Sequence, residues 1–344
     1  MEKKIIKGIF FNEILKRSGN ITKRIAFSDG NDIRLINALN YFMNINGSSF
    51  ILIGNENEIF NKIKEVGIKN TDNFSIMDPK NSNRFEEFRE IIKSAFAQRN
   101  KQITDEQLDI NTHNNSYWAA VLLKNNEADC AIGGTISSTA ELMRAVINVL
   151  GLLPGKKFLS GSAFVEIPDC IFGLNGVFCV TDPAIIPEPT EDQLLDMALS
   201  SCEIAKSVFK QEPRIAMLSY STWGSASSEE IDKIRNVVER VRALRPEIKI
   251  DGELQFDAAI VPEVAKIKVP TSVLEGKANV LVFPNLNATN ISYKIMQRLA
   301  KAEVCGTVIQ GAAKPFNDLS RGCLVQDIIL LIAMTLLQTK GMER

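Results

Sequence analysis

The sequence of 344 residues has little histidine and little tryptophan: His113 is the single histidine, and there are two tryptophans. One imidazole excludes a histidine-rich metal centre. The residues around His113 are polar, which favours a solvated helix end over a catalytic base. If the protein is an enzyme, we therefore expect its base to be a carboxylate, lysine, tyrosine or thiolate.

Paired cysteines and an excess of charge are also lacking. The six cysteines, at positions 130, 170, 179, 202, 305 and 323, form no Cys-x-x-Cys pair, so we expect reduced thiols and no metal site. Basic residues number 40 and acidic residues 41, which gives a net charge of -1 and no overall field that would attract nucleic acid or an anionic membrane. We expect neither as a partner.

The first residues lack the apolar core and cleavage site of a secretory signal, and the sequence predicts no apolar run of transmembrane length. These absences predict a cytoplasmic protein. A chain of 344 residues exceeds the usual size of one compact core and predicts two domains.

Short apolar runs alternate with helical patterns in the first half of the chain. Strands are predicted at 24–28, 50–54, 74–77 and 129–132, and helices at 9–18, up to 42, 56–66, 85–97, 104–125 and 137–150. Further strands are predicted at 214–218, 280–283 and 306–309, each followed by a loop rich in Ser, Thr, Asn or Gly. This alternation predicts an α/β fold with parallel βαβ units.

One strand-turn-helix junction is a candidate anion site. Gly133 and Gly134 allow close approach to a ligand, and Ser137 and Ser138 place hydroxyl and N–H donors at a helix start, with Arg144 two turns on. The sequence is neither Gly-x-Gly-x-x-Gly nor a Walker A motif, and glycine junctions of this kind also serve packing alone.

The stretch from Lys314 to Asp327 is the second candidate site. We interpret Ser320 as a helix N-cap beside Arg321, which predicts an anion site. We interpret Asp327 as an acid buried in an apolar helix. Such an acid is costly unless it is paired. The alternative is a capped core helix whose aspartate meets a partner.

Several segments of the chain resemble phosphate acetyltransferases, which exchange acetyl between acetyl phosphate and coenzyme A. The matching segments span most of residues 129–344 and read Ala216–Ala226 (AMLSYSTWGSA), Asp251–Ala259 (DGELQFDAA), Gly276–Val280 (GKANV) with Phe283–Leu286 (FPNL), Tyr293–Arg298 (YKIMQR) and Lys314–Asp327 (KPFNDLSRGCLVQD).

The resemblance implies a homodimer of chains with two α/β domains and an interdomain cleft, a fold like that of isocitrate and isopropylmalate dehydrogenases. The first domain would comprise residues 1–155 plus 310–344, and the second residues 156–309. The substrates would be coenzyme A or acetyl-coenzyme A and acetyl phosphate or phosphate, in acetate metabolism, with no cofactor and no metal. The C-terminal stretch from Lys314 to Asp327 would then lie against the turn at Gly133 and Gly134 of the first domain, called the glycine turn below.

The family's residues fall on named positions of this chain. The resemblance implies that Asp327 is the base for the coenzyme A thiol, with Ser320 and Arg321 also catalytic. Arg144 and Arg298 would bind coenzyme A or phosphate, and Lys314 and Asn317 of the same motif are also predicted to bind substrate. Cys170 matches a cysteine that lies in the cleft of some members and is not expected to be a nucleophile.

The chain departs from the family pattern at a few places. Gln98 stands where the family has an arginine implicated in coenzyme A binding, with Arg99 one residue on. This departure keeps open a non-catalytic acetyl-coenzyme A-binding module of the kind attached to some malic enzymes. A phosphate acyltransferase for butyryl or another longer chain is a further alternative. An NAD-dependent dehydrogenase is suggested by the fold alone.

Overall fold

A computed structural model describes residues 6–342 of the chain. Within these residues the chain divides into two compact units: the first comprises residues 6–7, 12–157 and 312–342, and the second residues 8–11 and 158–311. Helix α1 (Ile9–Ser18) includes residues of both.

The first unit contains a five-stranded sheet whose strands are all parallel. Its strands are β1 (Arg24–Phe27), β2 (Ser49–Ile53), β3 (Phe74–Met77), β4 (Cys130–Gly133) and β11 (Phe316–Asp318), in the order β11-β4-β1-β2-β3. In the register, Ala26 pairs with Ala131, and Ala131 in turn pairs with Phe316. The parallel βαβ prediction is therefore confirmed for this unit.

Helices follow these strands, and some begin or end at local capping signals. They are α2 (Ile33–Phe42), α3 (Glu56–Val66), α4 (Phe85–Ala97), α5 (Asp105–Thr112), α6 (Asn115–Lys124), α7 (Thr139–Ala145, continued by a π-helical turn at Val146–Leu150) and α13 (Val325–Met342). In α3, Asn55 accepts a hydrogen bond from the Glu58 backbone N–H, and Gly67 ends the helix at φ 80°.

The single helix predicted over 104–125 is wrong, because the chain breaks at His113. Asn114 adopts an extended conformation and accepts from the N–H groups of Ser116 and Tyr117, which starts α6. His113 is exposed and caps the end of α5, as the polar sequence predicted. It lines a polar cavity of about 250 Å³ at the carboxyl ends of β2 and β3.

Helix α13 supplies much of the first unit's interior. Residues 328–337 are buried, and the helix contacts β4, β11 and α2. Within residues 6–342 it is the one helix long and apolar enough to cross a membrane, so the prediction that no run reaches that length is wrong by this measure. Its burial fits a core helix, which passes the same test of length and composition.

The second unit has a six-stranded mixed sheet. Its strands are β5 (Ser160–Glu166), β6 (Val177–Thr181), β7 (Arg214–Leu218), β8 (Lys249–Leu254), β9 (Val280–Val282) and β10 (Glu303–Gln310), in the order β10-β5-β6-β9-β7-β8. Its helices are α8 (Glu191–Val208), α9 (Glu229–Leu244), α10 (Phe256–Ile260), α11 (Pro262–Lys268) and α12 (Leu286–Leu299).

The prediction of parallel βαβ units holds for only part of this sheet. Strand β5 pairs antiparallel with both β10 and β6, while β6, β9, β7 and β8 pair in parallel. The loop between β5 and β6 contains no helix, so the chain can return only in the antiparallel direction.

Candidate active site

The sheet order of the first unit marks where a ligand is expected. From β1 the chain continues to β2 and β3 on one side, whereas β4 and β11 lie on the other side of β1. In open α/β sheets, ligands bind beyond the carboxyl ends of the strands at such a reversal. The carboxyl ends of β1 and β4 are followed by Ser28-Asp29 and by the glycine turn.

The donors of the glycine turn are already bound to a carboxylate. Asp29 accepts hydrogen bonds from the N–H of Ile136 at 3.2 Å, from the N–H of Ser137 at 3.4 Å and from the Ser137 hydroxyl at 2.6 Å. The Thr135 hydroxyl lies 3.4 Å from the same carboxylate. Asp29 therefore occupies the place that the sequence suggested for a bound anion, and Ser137 serves the turn itself.

The remaining residues of the predicted cradle have local roles. Ser138 is the N-cap of α7 and accepts from the Glu141 N–H. Gly134 has a φ of 93°, and a Cβ there would lie 2.2 Å from Asp318 Oδ1 and 2.3 Å from the Leu319 carbonyl oxygen. At Gly133 a Cβ would lie 2.2 Å from the Ser28 hydroxyl oxygen. Both glycines permit close packing of three strand ends.

The segment after β11 crosses the end of β4, as predicted. The Leu319 N–H donates to the Gly133 carbonyl oxygen at 2.8 Å, which extends the β11–β4 ladder by one bond. The next residues, Ser320 and Arg321, are exposed. The exposed pair therefore lies at the carboxyl edge of the sheet, beside the glycine turn.

Arg34 fixes this segment and was missed by the sequence reasoning. Its Nη1 donates to the carbonyl oxygens of Arg321 at 2.8 Å and Cys323 at 2.9 Å, and its Nη2 donates to that of Thr135 at 2.9 Å. Asp32, the N-cap of α2, accepts from Arg34 Nε through Oδ1 and from Arg34 Nη2 through Oδ2, a two-pronged ion pair, and it has a lowered pKa. The lowering occurs although burial, the largest influence, acts to raise that pKa.

The signal for Arg34 was present in the sequence as an Asp-x-Arg pair at the start of a helix after β1. A charged pair at that edge of a parallel sheet is a candidate for binding or for positioning a neighbouring loop. The sequence could not reveal that its donors reach two other loops.

The predicted N-cap at Ser320 is wrong. Helix α13 begins at Val325, and the Ser320 hydroxyl instead accepts from the Gly322 N–H at 3.3 Å within a turn. Asp327 lies in the first turn, where its carboxylate accepts from the Leu324 N–H at 2.8 Å. An acid at this third helical position suits the positive end of the helix dipole.

Asp327 is half-buried, so the interpretation of Asp327 as a buried acid is also wrong. Partial exposure leaves part of the carboxylate accessible from solvent. The buried thiol of Cys323 lies nearby, and burial raises its pKa to about 11. Cys323 therefore stays protonated near neutral pH and is a poor nucleophile.

Two predicted substrate-binding residues lie elsewhere in the first unit. Lys314 precedes β11, and its Nζ donates to Asn126 at 2.7 Å, at the amino ends of the strands and thus on the opposite edge from Ser320. Asn317 is fully buried, and its Nδ2 donates to Thr335 and Gln338 of α13. The structure gives Lys314 and Asn317 packing roles.

The other predicted residues are placed as follows. Arg144 is exposed in the last turn of α7 in the first unit. In the second unit, Arg298 is exposed in the last turn of α12, and Cys170 is half-buried against the core of that unit. Within residues 6–342, no group of three or more His, Cys, Asp or Glu side chains is arranged to hold a metal ion.

Comparison with known proteins identifies the family. A family model described as phosphate acetyl/butaryl transferase matches residues 9–336. The chain belongs to that family. Its acyltransferase class is thereby shown, and the resemblance drawn from the motifs is confirmed.

A phosphate acetyltransferase of Thermoanaerobacterium thermosaccharolyticum is 39% identical to this family member over 327 residues, covering 95% of this chain and 98% of that protein. A phosphotransacetylase structure from Streptococcus pyogenes matches with a TM-score of 0.87 and 32% identity, covering 97% of this chain and 98% of that one. The structure of a 4-hydroxythreonine-4-phosphate dehydrogenase from Klebsiella pneumoniae matches with a TM-score of 0.52 and 11% identity, covering 92% of this chain and 100% of that one. This match shows likeness of fold alone.

Proposed function

We propose that this member of the family is a phosphate acetyltransferase that transfers acetyl reversibly between acetyl phosphate and coenzyme A. The observation that carries the proposal is the composition of one edge of the first sheet. An exposed serine and an exposed arginine follow β11, and a half-buried carboxylate lies in the next helical turn. These are the kinds of group that acyl transfer to a thiol requires.

The proposed base is Asp327. A thiol with a pKa of about 8.5 is a poor nucleophile at neutral pH until it loses its proton. Asp327 takes that proton as the sulfur attacks the carbonyl carbon of acetyl phosphate. A C–S bond forms, the C–O bond to phosphate breaks with its electron pair, and phosphate leaves. The transfer is direct within a ternary complex and needs no acyl-enzyme.

Arg321 is proposed to bind the phosphoryl group through paired donors and to stabilise charge on the acyl oxygen. Arg34 supports this role, because it fixes the backbone of Arg321 while leaving that side chain exposed. The Ser320 hydroxyl is proposed to orient the Asp327 carboxylate or to donate to the developing oxyanion.

Other parts of the proposal come from the family likeness. Arg144 and Arg298 are proposed to bind coenzyme A or phosphate, and Cys170 is proposed to take no covalent part. The two compact units are proposed to be the two domains of an isocitrate dehydrogenase-like fold, and the protein to be a cytoplasmic homodimer without cofactor or metal.

A longer acyl chain is the second candidate, because the matching family model includes butyryl as well as acetyl transfer. Thiol release should be followed with acetyl-, propionyl- and butyryl-coenzyme A plus phosphate. We expect acetyl-coenzyme A to give the highest kcat/KM. A preference for butyryl would replace the acetyl assignment, and no turnover with any of them would favour a binding module.

The same assay tests the base. We expect Asp327→Asn to lower kcat by a factor on the order of 100 or more, the usual contribution of a positioned base, with unchanged folding by circular dichroism. Asp105→Asn is the matched control, since Asp105 also lies in the first turn of a helix, α5. If Asp327→Asn kept near-normal turnover at neutral pH, the base would be another group.

A further inference from the structure

The carboxyl group of Asp318 is buried, and within residues 6–342 only one of its two oxygen atoms is hydrogen-bonded. It is the last residue of β11 and is 3% exposed. Its Oδ2 accepts from the Thr139 hydroxyl at 2.6 Å, whereas within residues 6–342 its buried Oδ1 has no hydrogen-bond partner. A buried oxygen without a partner is unfavourable, and much more so when it carries charge.

Asp318 packs closely against Gly134. Oδ1 and the Leu319 carbonyl oxygen both lie close to Gly134, where a Cβ would be 2.2 Å from the first atom and 2.3 Å from the second. Two oxygen atoms thus crowd one glycine at the point where the Ser320–Arg321 segment leaves the sheet. A charge on Oδ1 would repel the partial negative charge of the carbonyl.

The charged groups around Asp318 disfavour its ionised form. Burial, together with the like charge of Asp29, raises the pKa of Asp318 to about 7, against the lowering effect of Thr139. The Arg34 donors are bound to Asp32, Thr135, Arg321 and Cys323.

On α7, Glu141 is bound by Asn114 and Arg144 is exposed, and on the following segment Arg321 is exposed. None of these cations donates a hydrogen bond to Asp318 within the described part of the chain.

We propose that Asp318 is a positioning residue whose uncharged acid form holds the Leu319–Arg321 segment on the sheet, and whose ionisation releases that segment. The proposal rests on the proposed function, because it assumes that this segment carries the phosphate-binding arginine. Loss of the proton places an unpaired charge in the interior, and movement of the strand end toward water relieves it. Because the released carboxyl returns to the ordinary pKa of an aspartate, the attached state loses stability as the pH rises from about 4 to about 7 and levels off above that.

The first test is the pH dependence of kcat with saturating acetyl phosphate and coenzyme A. Relative to Asp318→Asn, whose amide cannot ionise, the wild type should lose turnover progressively as the pH rises from about 4 to about 7 and lose no more above that. Thr139→Val should shift the decline to higher pH, because the lost hydroxyl stabilises the ionised form. Asp78→Asn is the matched control, since Asp78 is a buried acid after β3 of the same sheet and should leave the decline in place.

The second test does not depend on activity. Hydrogen exchange of the Leu319 amide, which donates to the Gly133 carbonyl oxygen, reports whether the segment is attached. After correction for intrinsic exchange, its protection in the wild type should fall as the pH rises toward about 7 and level off above that, and it should stay constant in Asp318→Asn.

The same decline in Asp318→Asn, or wild-type protection that does not change with pH below about 7, would overturn the positioning role. An inactive wild type with pH-dependent protection would instead count against the proposed function and leave the role of Asp318 standing.

Discussion

Arg34 and Arg321 lie close together, and the structure uses them differently. The guanidinium of Arg34 donates to three backbone carbonyl oxygens and to the Asp32 carboxylate. The Arg321 side chain is exposed, and only its backbone is held. A fixed backbone with an accessible guanidinium lowers the entropy that is lost when an oxyanion binds. Of the two, Arg321 is therefore the better candidate for contact with acetyl phosphate.

A substitution that retains charge tests this contact. We expect Arg321→Lys to lower kcat/KM for acetyl phosphate about tenfold or more, because an ammonium cannot reproduce a planar two-pronged contact. Arg24→Lys is the matched control. Arg24 forms a two-pronged pair with Asp129 at the start of β1, on the opposite edge of the sheet.

The control variant should change turnover little. Equal kinetics for Arg321→Lys and the wild type would contradict the two-pronged assignment, and equal losses in both variants would point to a general effect on the first unit.

At the scale of single elements, the sequence predicted those helices and strands whose bounds are set by local interactions. The predicted bounds of α3, β3 and α4 agree with the structure. Those of α3 are set by the Asn55 and Gly67 caps. No strand was predicted at Phe316–Asp318, where β11 lies. Its three residues, Phe-Asn-Asp, form a strand only through pairing with β4, far away in the sequence.

The same long-range pairing explains which site residues could be predicted. The resemblance predicted that the C-terminal stretch lies against the glycine turn, and the Leu319 N–H donates to the Gly133 carbonyl oxygen there. The register of β11 turns Asn317 toward α13 and puts Lys314 at the far edge. Neither placement can be derived from a motif, because both depend on which residue pairs with which.

Gly134 offers a test of how tightly these elements meet. Gly134→Ala should lower the free energy of unfolding by about 2–4 kcal/mol, from a positive φ together with overpacking against Asp318 and Leu319. Gly67→Ala is the control, because Gly67 also has a positive φ, 80°, but nothing lies within 4 Å of its Cβ position. It should cost only about 1 kcal/mol.

Urea unfolding of both variants gives the comparison. Gly134→Ala should also lose turnover, since the displaced Leu319 carries Ser320 with it. Equal destabilisation by the two substitutions would mean that the strand ends adjust without cost, and the close packing would then have little influence on the site.

At the scale of the whole molecule, a net charge of -1 means that binding of a polyanion must depend on local cations. One such group surrounds Gln98, the exposed C-cap of α4. Lys124 donates to the Gln98 side chain at 3.4 Å, and Lys101 donates to Asn148 at 2.9 Å. The group is basic although the family's arginine is absent.

Arg99 does not simply replace that arginine. Its guanidinium donates to the carbonyl oxygens of Ala95 and Val149, and burial lowers its pKa. Two of its donors are therefore committed within the first unit. This arrangement favours a weakened phosphate contact at position 98 over a shift of the arginine by one residue.

Ligand-induced stabilisation of the whole protein measures that contact, because a ligand that binds only the folded state adds its binding free energy to stability. We expect Gln98→Arg to tighten coenzyme A binding several-fold, on the order of 1 kcal/mol, through a charge-assisted contact to a phosphate. Without ligand, the new charge beside Arg99 and Lys124 should slightly lower the melting temperature. With coenzyme A, the rise in melting temperature should exceed that of the wild type.

Three comparisons isolate the cause of this gain. It should shrink in high salt, and it should shrink with dephospho-coenzyme A if the lost phosphate is the one contacted. Gln211→Arg, the same charge change at an exposed position of the second unit, should give no gain. Tighter binding in both variants would indicate non-specific attraction. No gain at Gln98 with either form of the ligand would mean that Arg99, Lys101 or Lys124 already supplies the contact, despite the bonds that they make in the free protein.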